Sequence, residues 1–234
     1  MEPTNKKEKI SEYTGYVFIG IVAVVIIFNQ IQISALTGNQ LFTTGAATSS
    51  IKLSANADVN EIINKLIPKG TPEVYGNELG ISYDDPVKSL SKLAALDRVV
   101  QDSSLTSEEK SRYINIGTKI SCEFCCSAPA VIDSQGRSLC GCSHAASFKG
   151  LAKYLVKNHP EMSDEQILWE LTKWKSIYYP KNMVEKAVLA NQNGLELSPD
   201  VLNDRALIQK LKSGQKSSVG DINSADLPEM VGGC

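Results

Sequence analysis

The chain has 234 residues, with 24 lysines and arginines against 26 aspartates and glutamates. The net charge of -2 and the charged fraction of 21% argue against a nucleic-acid-binding protein, which normally shows a basic excess. The apolar fraction of 42% is enough for a globular core, and the length allows one or two domains. Five of the six cysteines lie between Cys122 and Cys142, which excludes an evenly stapled disulfide scaffold and indicates one local site.

An uncharged apolar run near the N-terminus predicts a transmembrane anchor. Residues 15–28 would span only about 21 Å as a helix, but the uncharged stretch continues, and residues 16–36 are long enough to cross a hydrocarbon core of roughly 30 Å. Three lysines in residues 1–15 precede this stretch, so the positive-inside rule places the N-terminus in the cytoplasm and the main domain outside it. A cleaved signal peptide and a buried soluble helix are the alternatives.

The remaining chain predicts a stalk, one mostly α-helical domain and a tail. Residues 37–57 are rich in small polar residues, as is typical of a flexible stalk. Residues 58–212 place apolar side chains at helical spacing, which predicts the extracytoplasmic domain. Residues 213–234 are polar and rich in glycine and predict a mobile tail that ends in Cys234.

Local signals mark where the predicted helices begin. Thr106 with Glu109, and Ser163 with Gln166, have the spacing of capping boxes. Ser143 is predicted to cap the helix that follows the cysteines. The turn-forming residues 133–136 predict a short hairpin, the one expected departure from helix.

The cysteine-rich segment at 122–144 predicts a metal site. Cys122 and Cys125 have the spacing of a zinc knuckle, and the residues at 140, 142 and 144 would face one side of an extended segment. The hairpin would bring the two halves together. The predicted ligands are Cys122, Cys125, Cys126, Cys140, Cys142 and His144.

Several chemistries fit this ligand set. Structural zinc, held by the cysteines at 122, 125, 140 and 142, is the preferred prediction because this spacing is common in zinc sites and zinc needs no redox partner. A copper(I) site and an Fe–S cluster are the metal alternatives. Two disulfides with a spare cysteine are the metal-free alternative. No catalytic residues are predicted, although a thiol oxidoreductase remains the contrasting class.

Two residues near this site need separate interpretation. Cys234 follows two glycines, and it is read either as a mobile thiol that reaches the cluster or as a free or intermolecularly paired tail cysteine. Glu123 lies inside the predicted knuckle, where solvation at the surface is favoured over a role as proton acceptor.

A resemblance to a known family rests on four motifs, which are CEFCC, CGCSHAASFKGLAKYL, the later WELTKWKSIYYPKNMVEKA and the terminal MVGGC. They resemble a family of membrane-anchored Cys-rich proteins from small-genome archaea to which no activity is assigned. The CGCSH portion is also loosely similar to exported PCYCGCG-motif proteins, but the Pro-Cys-Tyr lead is missing here. The resemblance implies a pattern of cysteines and an anchor, and it implies no substrate.

The sequence as a whole predicts a single-pass membrane protein with an extracytoplasmic metal-binding domain. Its expected partners are the membrane, through the N-terminal helix, and a transition metal ion, with zinc preferred. No nucleic-acid partner is expected, and the sequence indicates no particular protein partner.

Overall fold

The computed structural model describes residues 50–54, 57–214 and 227–233. These residues are mostly helical and contain no β-strand, which confirms the predicted fold class for this part of the chain. The predicted anchor at 16–36 lies outside the described residues, as does Cys234. Among the residues that the structure does describe, no helix combines the length and the apolar character needed to cross a bilayer.

The helices follow the predicted segments closely. They are α1 (Val59–Leu66), α2 (Gly76–Leu79), α3 (Pro86–Val99), α4 (Ser107–Gly117), α5 (Ser143–Asn158), α6 (Asp164–Tyr178), α7 (Pro180–Gln192), α8 (Pro199–Asn203) and α9 (Arg205–Gly214), with a 3-10 turn at Asp102–Ser104. Both predicted capping boxes form: each cap side chain accepts the backbone N–H of the third helical residue, and the side chain of that residue accepts the backbone N–H of the cap. These starts are set by residues within one turn of each other, so the sequence alone determines them.

Helices α5, α6 and α7 form the centre of the domain. Their apolar side chains recur every three or four residues and are withdrawn from solvent together. The fully buried members include Phe148, Leu151, Leu155, Ile167, Leu171, Trp174, Met183, Val184 and Ala187. The cysteine segment enters this core between α4 and α5, so its position is fixed by the packing of these helices.

Helices α3 and α5 cross closely at Gly150. A Cβ atom added there would collide with the carbonyl oxygen of Leu93 and lie 2.7 Å from the backbone nitrogen of Asp97. Beside the crossing, the Asp97 carboxylate accepts Lys149 at 2.9 Å and Lys153 at 2.8 Å. A residue without a side chain therefore allows the close approach, and a paired carboxylate satisfies the two partly buried cations next to it.

The C-terminal residues 227–233 pack against the start of α7 and the end of α6. The Val231 N–H donates to the carbonyl oxygen of Tyr178 at 2.8 Å, and the Lys181 N–H donates to that of Pro228 at 3.3 Å. Gly232, with φ +80°, fits beside Leu90, where a Cβ atom would lie only 2.6 Å from the Leu90 side chain. The sequence predicted mobility for the whole of 213–234, whereas α9 extends to Gly214 and residues 227–233 have defined hydrogen bonds.

We expect Gly150→Ala to lower the free energy of unfolding by about 1–3 kcal/mol, because the added methyl group overpacks a backbone contact between α3 and α5. Urea denaturation followed by circular dichroism measures the change. Gly214→Ala is the matched control, since a Cβ atom at Gly214 meets nothing within 4 Å. Equal stability of the two variants would contradict the close crossing.

Candidate metal centre

The predicted hairpin forms and returns the chain to Cys122. Ile132 and Ser138 make an isolated antiparallel bridge, and the Leu139 N–H donates to the Val131 carbonyl oxygen at 3.0 Å. The Asp133 carboxylate accepts the backbone N–H of Gln135 at 2.9 Å, which is the Asx-turn expected from the turn sequence. The pairing is too short to count as strands, but it brings the second group of cysteines to the first.

Three sulfur atoms converge at the point where the two segments meet. The Sγ atom of Cys122 lies 3.3 Å from that of Cys140 and 3.4 Å from that of Cys142, and the last two are 3.5 Å apart. All three lie within 4.8 Å of one another, an arrangement that can hold a metal ion. Cys122 and Cys140 are buried and Cys142 is half-buried, so the group lies at the edge of the core.

A fourth sulfur atom, that of Cys126, contacts this group. It lies 3.2 Å from the Cys122 sulfur and forms a disulfide with Cys140. Cys122 and Cys142 are free thiols, whereas Cys125 is not one of the free thiols. The structure therefore contains both a disulfide and a possible metal-ligand group in the same few ångströms.

The structure brings Cys126, rather than Cys125, to the other sulfurs. The Cys125 N–H donates to the Cys122 carbonyl oxygen at 2.9 Å, which closes a turn, and the next residue then lies beside Cys122. Among the described residues, the group of three convergent sulfurs contains neither Cys125 nor Cys126, but Cys126 is bonded to its member Cys140 and contacts Cys122. Spacing alone could not separate these two adjacent cysteines, because the direction of each side chain depends on the turn between them.

Cys142 occupies the N-cap position of α5, one residue before the predicted cap Ser143. Its sulfur atom accepts the Ala145 N–H at 3.3 Å. A hydrogen bond from the Cys122 thiol, together with contacts from His144 and the Ala145 N–H, lowers the pKa of Cys142 despite its partial burial. The same hydrogen bond, together with burial, raises the pKa of Cys122. The opposite pKa shifts favour a shared-proton arrangement in which Cys122 is the donor to Cys142.

His144 is fully buried between aromatic rings, with both ring nitrogens in hydrogen bonds. Nε2 lies 2.8 Å from the Val231 carbonyl oxygen, which can only accept, so Nε2 carries a proton. Nδ1 lies 3.0 Å from the Tyr179 hydroxyl group, which donates to it when the imidazole is neutral. The ring centroids of Tyr178 and Tyr179 lie 4.9 Å and 5.0 Å away. These contacts fix the imidazole at the start of α5.

A buried ionic cluster adjoins the site, and the sequence prediction for Glu123 is wrong. Its side chain is only 6% exposed, and its carboxylate pairs with Lys175 at 3.0 Å, with Arg205 at 3.2 Å and with Lys186. Burial disfavours the ionised carboxylate, but the two lysines outweigh burial and lower the pKa of Glu123. Glu123 can be buried with its charge because cations from three helices pair with its carboxylate.

One signal in the sequence could have located this cluster. Lys175 continues the buried stripe of α6 that includes Leu168 and Leu171, where an apolar residue would ordinarily stand. A lysine at such a position needs a buried partner. Glu123 is that partner, at a separation along the chain that no local pattern reveals.

Comparison with known proteins assigns no relative to this fold or to this site. No protein-family model, curated protein or solved structure matches the chain. The resemblance to the archaeal Cys-rich family therefore stays a prediction. The three convergent sulfur atoms are the observation on which a functional proposal can be built.

We expect Cys142 in the non-reduced protein to react with iodoacetamide at a pH below the ordinary thiol range, because its lowered pKa keeps the thiolate populated there. Cys122 should stay unmodified, since it is buried and its pKa is raised. Peptide mass spectrometry as a function of pH gives both rates. In urea the two residues should react alike with a midpoint of about 8.5, the value of a free thiol. Equal rates in the folded protein would contradict the shared-proton arrangement.

Proposed function

We propose that the protein is a membrane-anchored, extracytoplasmic metal-binding protein whose centre holds zinc in a structural role. The ligands in this proposal are the thiolates of Cys122, Cys126, Cys140 and Cys142. The convergence of the sulfur atoms of Cys122, Cys140 and Cys142 is the observation that carries it. The anchor and the extracytoplasmic location are inferred from the apolar residues 16–36 and from the lysines that precede them.

The sulfur distances support a tetrahedral centre that requires small adjustments. In a zinc tetrathiolate with Zn–S bonds of about 2.3 Å, the sulfur atoms lie about 3.8 Å apart. The contacts among Cys122, Cys140 and Cys142 are 3.3–3.5 Å, so these sulfurs need to separate by a few tenths of an ångström. The fourth ligand, Cys126, contacts two of the three and becomes available when its disulfide with Cys140 is reduced by two electrons.

A structural role fits the position of the centre in the fold. The four sulfurs join the loop after α4, the end of the hairpin and the N-cap of α5. These segments have few backbone hydrogen bonds between them, and a metal ion would cross-link all three. His144 is proposed to act through its bonds to Tyr179 and Val231, which orient the start of α5, rather than as a ligand.

Thiol–disulfide exchange is the second candidate, favoured by the disulfide beside a free thiol of lowered pKa. The sulfur of Cys142 lies 3.5 Å from that of Cys140. Attack of the Cys142 thiolate on Cys140 would form a Cys140–Cys142 bond and release the thiolate of Cys126, with no net change in oxidation state. The half-buried position of Cys142 would admit a thiol substrate from one side.

Elemental analysis of the full-length chain, purified in mild detergent under reducing conditions without metal-affinity resin, tests the proposal. We expect about one equivalent of zinc in a colourless protein, because four thiolates bind one tetrahedral ion. Cys140→Ser and Cys142→Ser should each lower the bound zinc to less than a tenth, since each removes a ligand from the convergent group.

Cys125→Ser is the matched control, because it removes a neighbouring cysteine that is not a ligand in the proposal. It should retain the zinc. If the elemental analysis finds copper, or iron with visible absorbance, that metal takes the place of zinc in the proposal. Absence of every metal, together with a persistent Cys126–Cys140 disulfide and turnover of a dithiol substrate, would favour thiol–disulfide exchange instead.

Cysteine labelling in intact cells tests the proposed location. Val99→Cys introduces a thiol at a residue that is 74% exposed on α3, and Ser11→Cys introduces one in the proposed cytoplasmic segment. A membrane-impermeant maleimide should modify position 99 in intact cells and position 11 only after permeabilisation. The reverse pattern would contradict the proposed orientation.

A further inference from the structure

The ionic cluster behind the cysteines contains more positive than negative charge. We define this cation cluster as Lys175, Lys186 and Arg205, gathered around the carboxylate of Glu123. We infer that the cation cluster determines the charge of the proposed metal centre and makes it selective for a divalent ion held by four thiolates. Lys175 is the principal specificity-determining residue. The inference rests on the proposed metal centre.

Lys175 is held rigidly and is completely withdrawn from water. Its side chain is 0% exposed, and its ammonium group pairs with Glu123 at 3.0 Å. It also donates to the Asn203 amide oxygen at 2.9 Å, and it lies 5.7 Å from the centre of the Phe124 ring. These contacts fix the position of the ammonium group beside the residue that follows Cys122 in the chain.

The other two cations are fixed by contacts of their own. Lys186 donates to Glu123 and to the Leu202 carbonyl oxygen at 3.1 Å, and it is almost as buried as Lys175. Arg205 pairs with Glu123 at 3.2 Å and donates to the carbonyl oxygens of Ser127 and Ala128, both at 3.1 Å. The three cations therefore hold the cysteine loop from α6, α7 and α9.

The charge count points to a second anion. In the described part of the chain, all three cations form their ion pairs with the same carboxylate, which leaves an excess of two positive charges. Burying a cation without a counter-charge is costly, and Lys175 and Lys186 are both buried. A divalent ion bound by four thiolates carries two negative charges. Together with Glu123, the cation cluster carries a net charge of +2, of which the charge on Arg205 is partly exposed to solvent (42%).

The charge balance favours four thiolates over other ligand sets. Other ligand sets would leave the excess charge unmatched, since exchanging one thiolate for imidazole reduces the negative charge of the centre by one.

The test compares Lys175→Met with Lys153→Met in the full-length, reduced protein. Lys153, on α5, is a similarly buried lysine and is paired with Asp97 and Asp102. Affinities for Zn²⁺ are measured by chelator competition, and the ligand geometry is followed by the visible absorption of Co²⁺. We expect Lys175→Met to weaken Zn²⁺ binding about 10–100-fold, as is typical when a residue that supports metal ligands is removed. Lys153→Met should stay within about threefold.

Glu123→Gln separates an electrostatic role from a purely structural one. If the ion pairs only hold the loop, removing the carboxylate should weaken metal binding as Lys175→Met does. If charge is the cause, Glu123→Gln increases the local positive charge and should bind Zn²⁺ at least as tightly as the wild type. This variant also keeps the test valid if Lys175→Met does not fold.

Two results would overturn the inference. Equal zinc affinity of Lys175→Met and Lys153→Met would overturn the inference and leave the proposed metal centre intact. A loss of zinc affinity in Glu123→Gln as large as that in Lys175→Met would have the same meaning. A wild-type protein that binds neither Zn²⁺ nor Co²⁺ would overturn the proposed function, and the inference would fail with it.

Discussion

The buried carboxylate of Glu123 organises the charged groups beside the cysteine segment. A charged group that is 6% exposed is stable only if its partners are already in place, and here they come from α6, α7 and α9. The ion pairs lie between the loop from Cys122 to Ala128 and the helical core. The hairpin brings the second half of the cysteine segment to the first, so that the sulfur atoms of the two halves meet.

The same cysteines offer two chemistries that exclude each other. The Cys126–Cys140 disulfide uses two of the four sulfurs that the proposed zinc centre needs. A metal ion would bind only after reduction, and oxidation of a loaded site would expel the ion and leave Cys122 and Cys142 as thiols. The redox potential of the compartment therefore bears directly on which form is present.

The helix starts and the hairpin could be predicted because the groups that form them are close in sequence. Thr106 and Glu109 need only each other to close a capping box, and Asp133 needs only the backbone two residues ahead. The cap of α5 was predicted one residue late, at Ser143, because a thiol can also accept the N–H of the first turn. Local hydrogen bonding is compatible with either Cys142 or Ser143 as the cap of this helix.

The sequence by itself determined the helices, the cysteine cluster as a candidate metal site and the hairpin that joins its two halves. The tertiary structure decided that Cys126 bonds to Cys140, that the nitrogens of His144 bond to Val231 and Tyr179, and that Glu123 is buried. These outcomes depend on groups far apart along the chain, such as Lys175 beside Glu123 and Val231 beside His144. Periodicity and spacing report only on neighbours, whereas burial and charge pairing are properties of the packed domain.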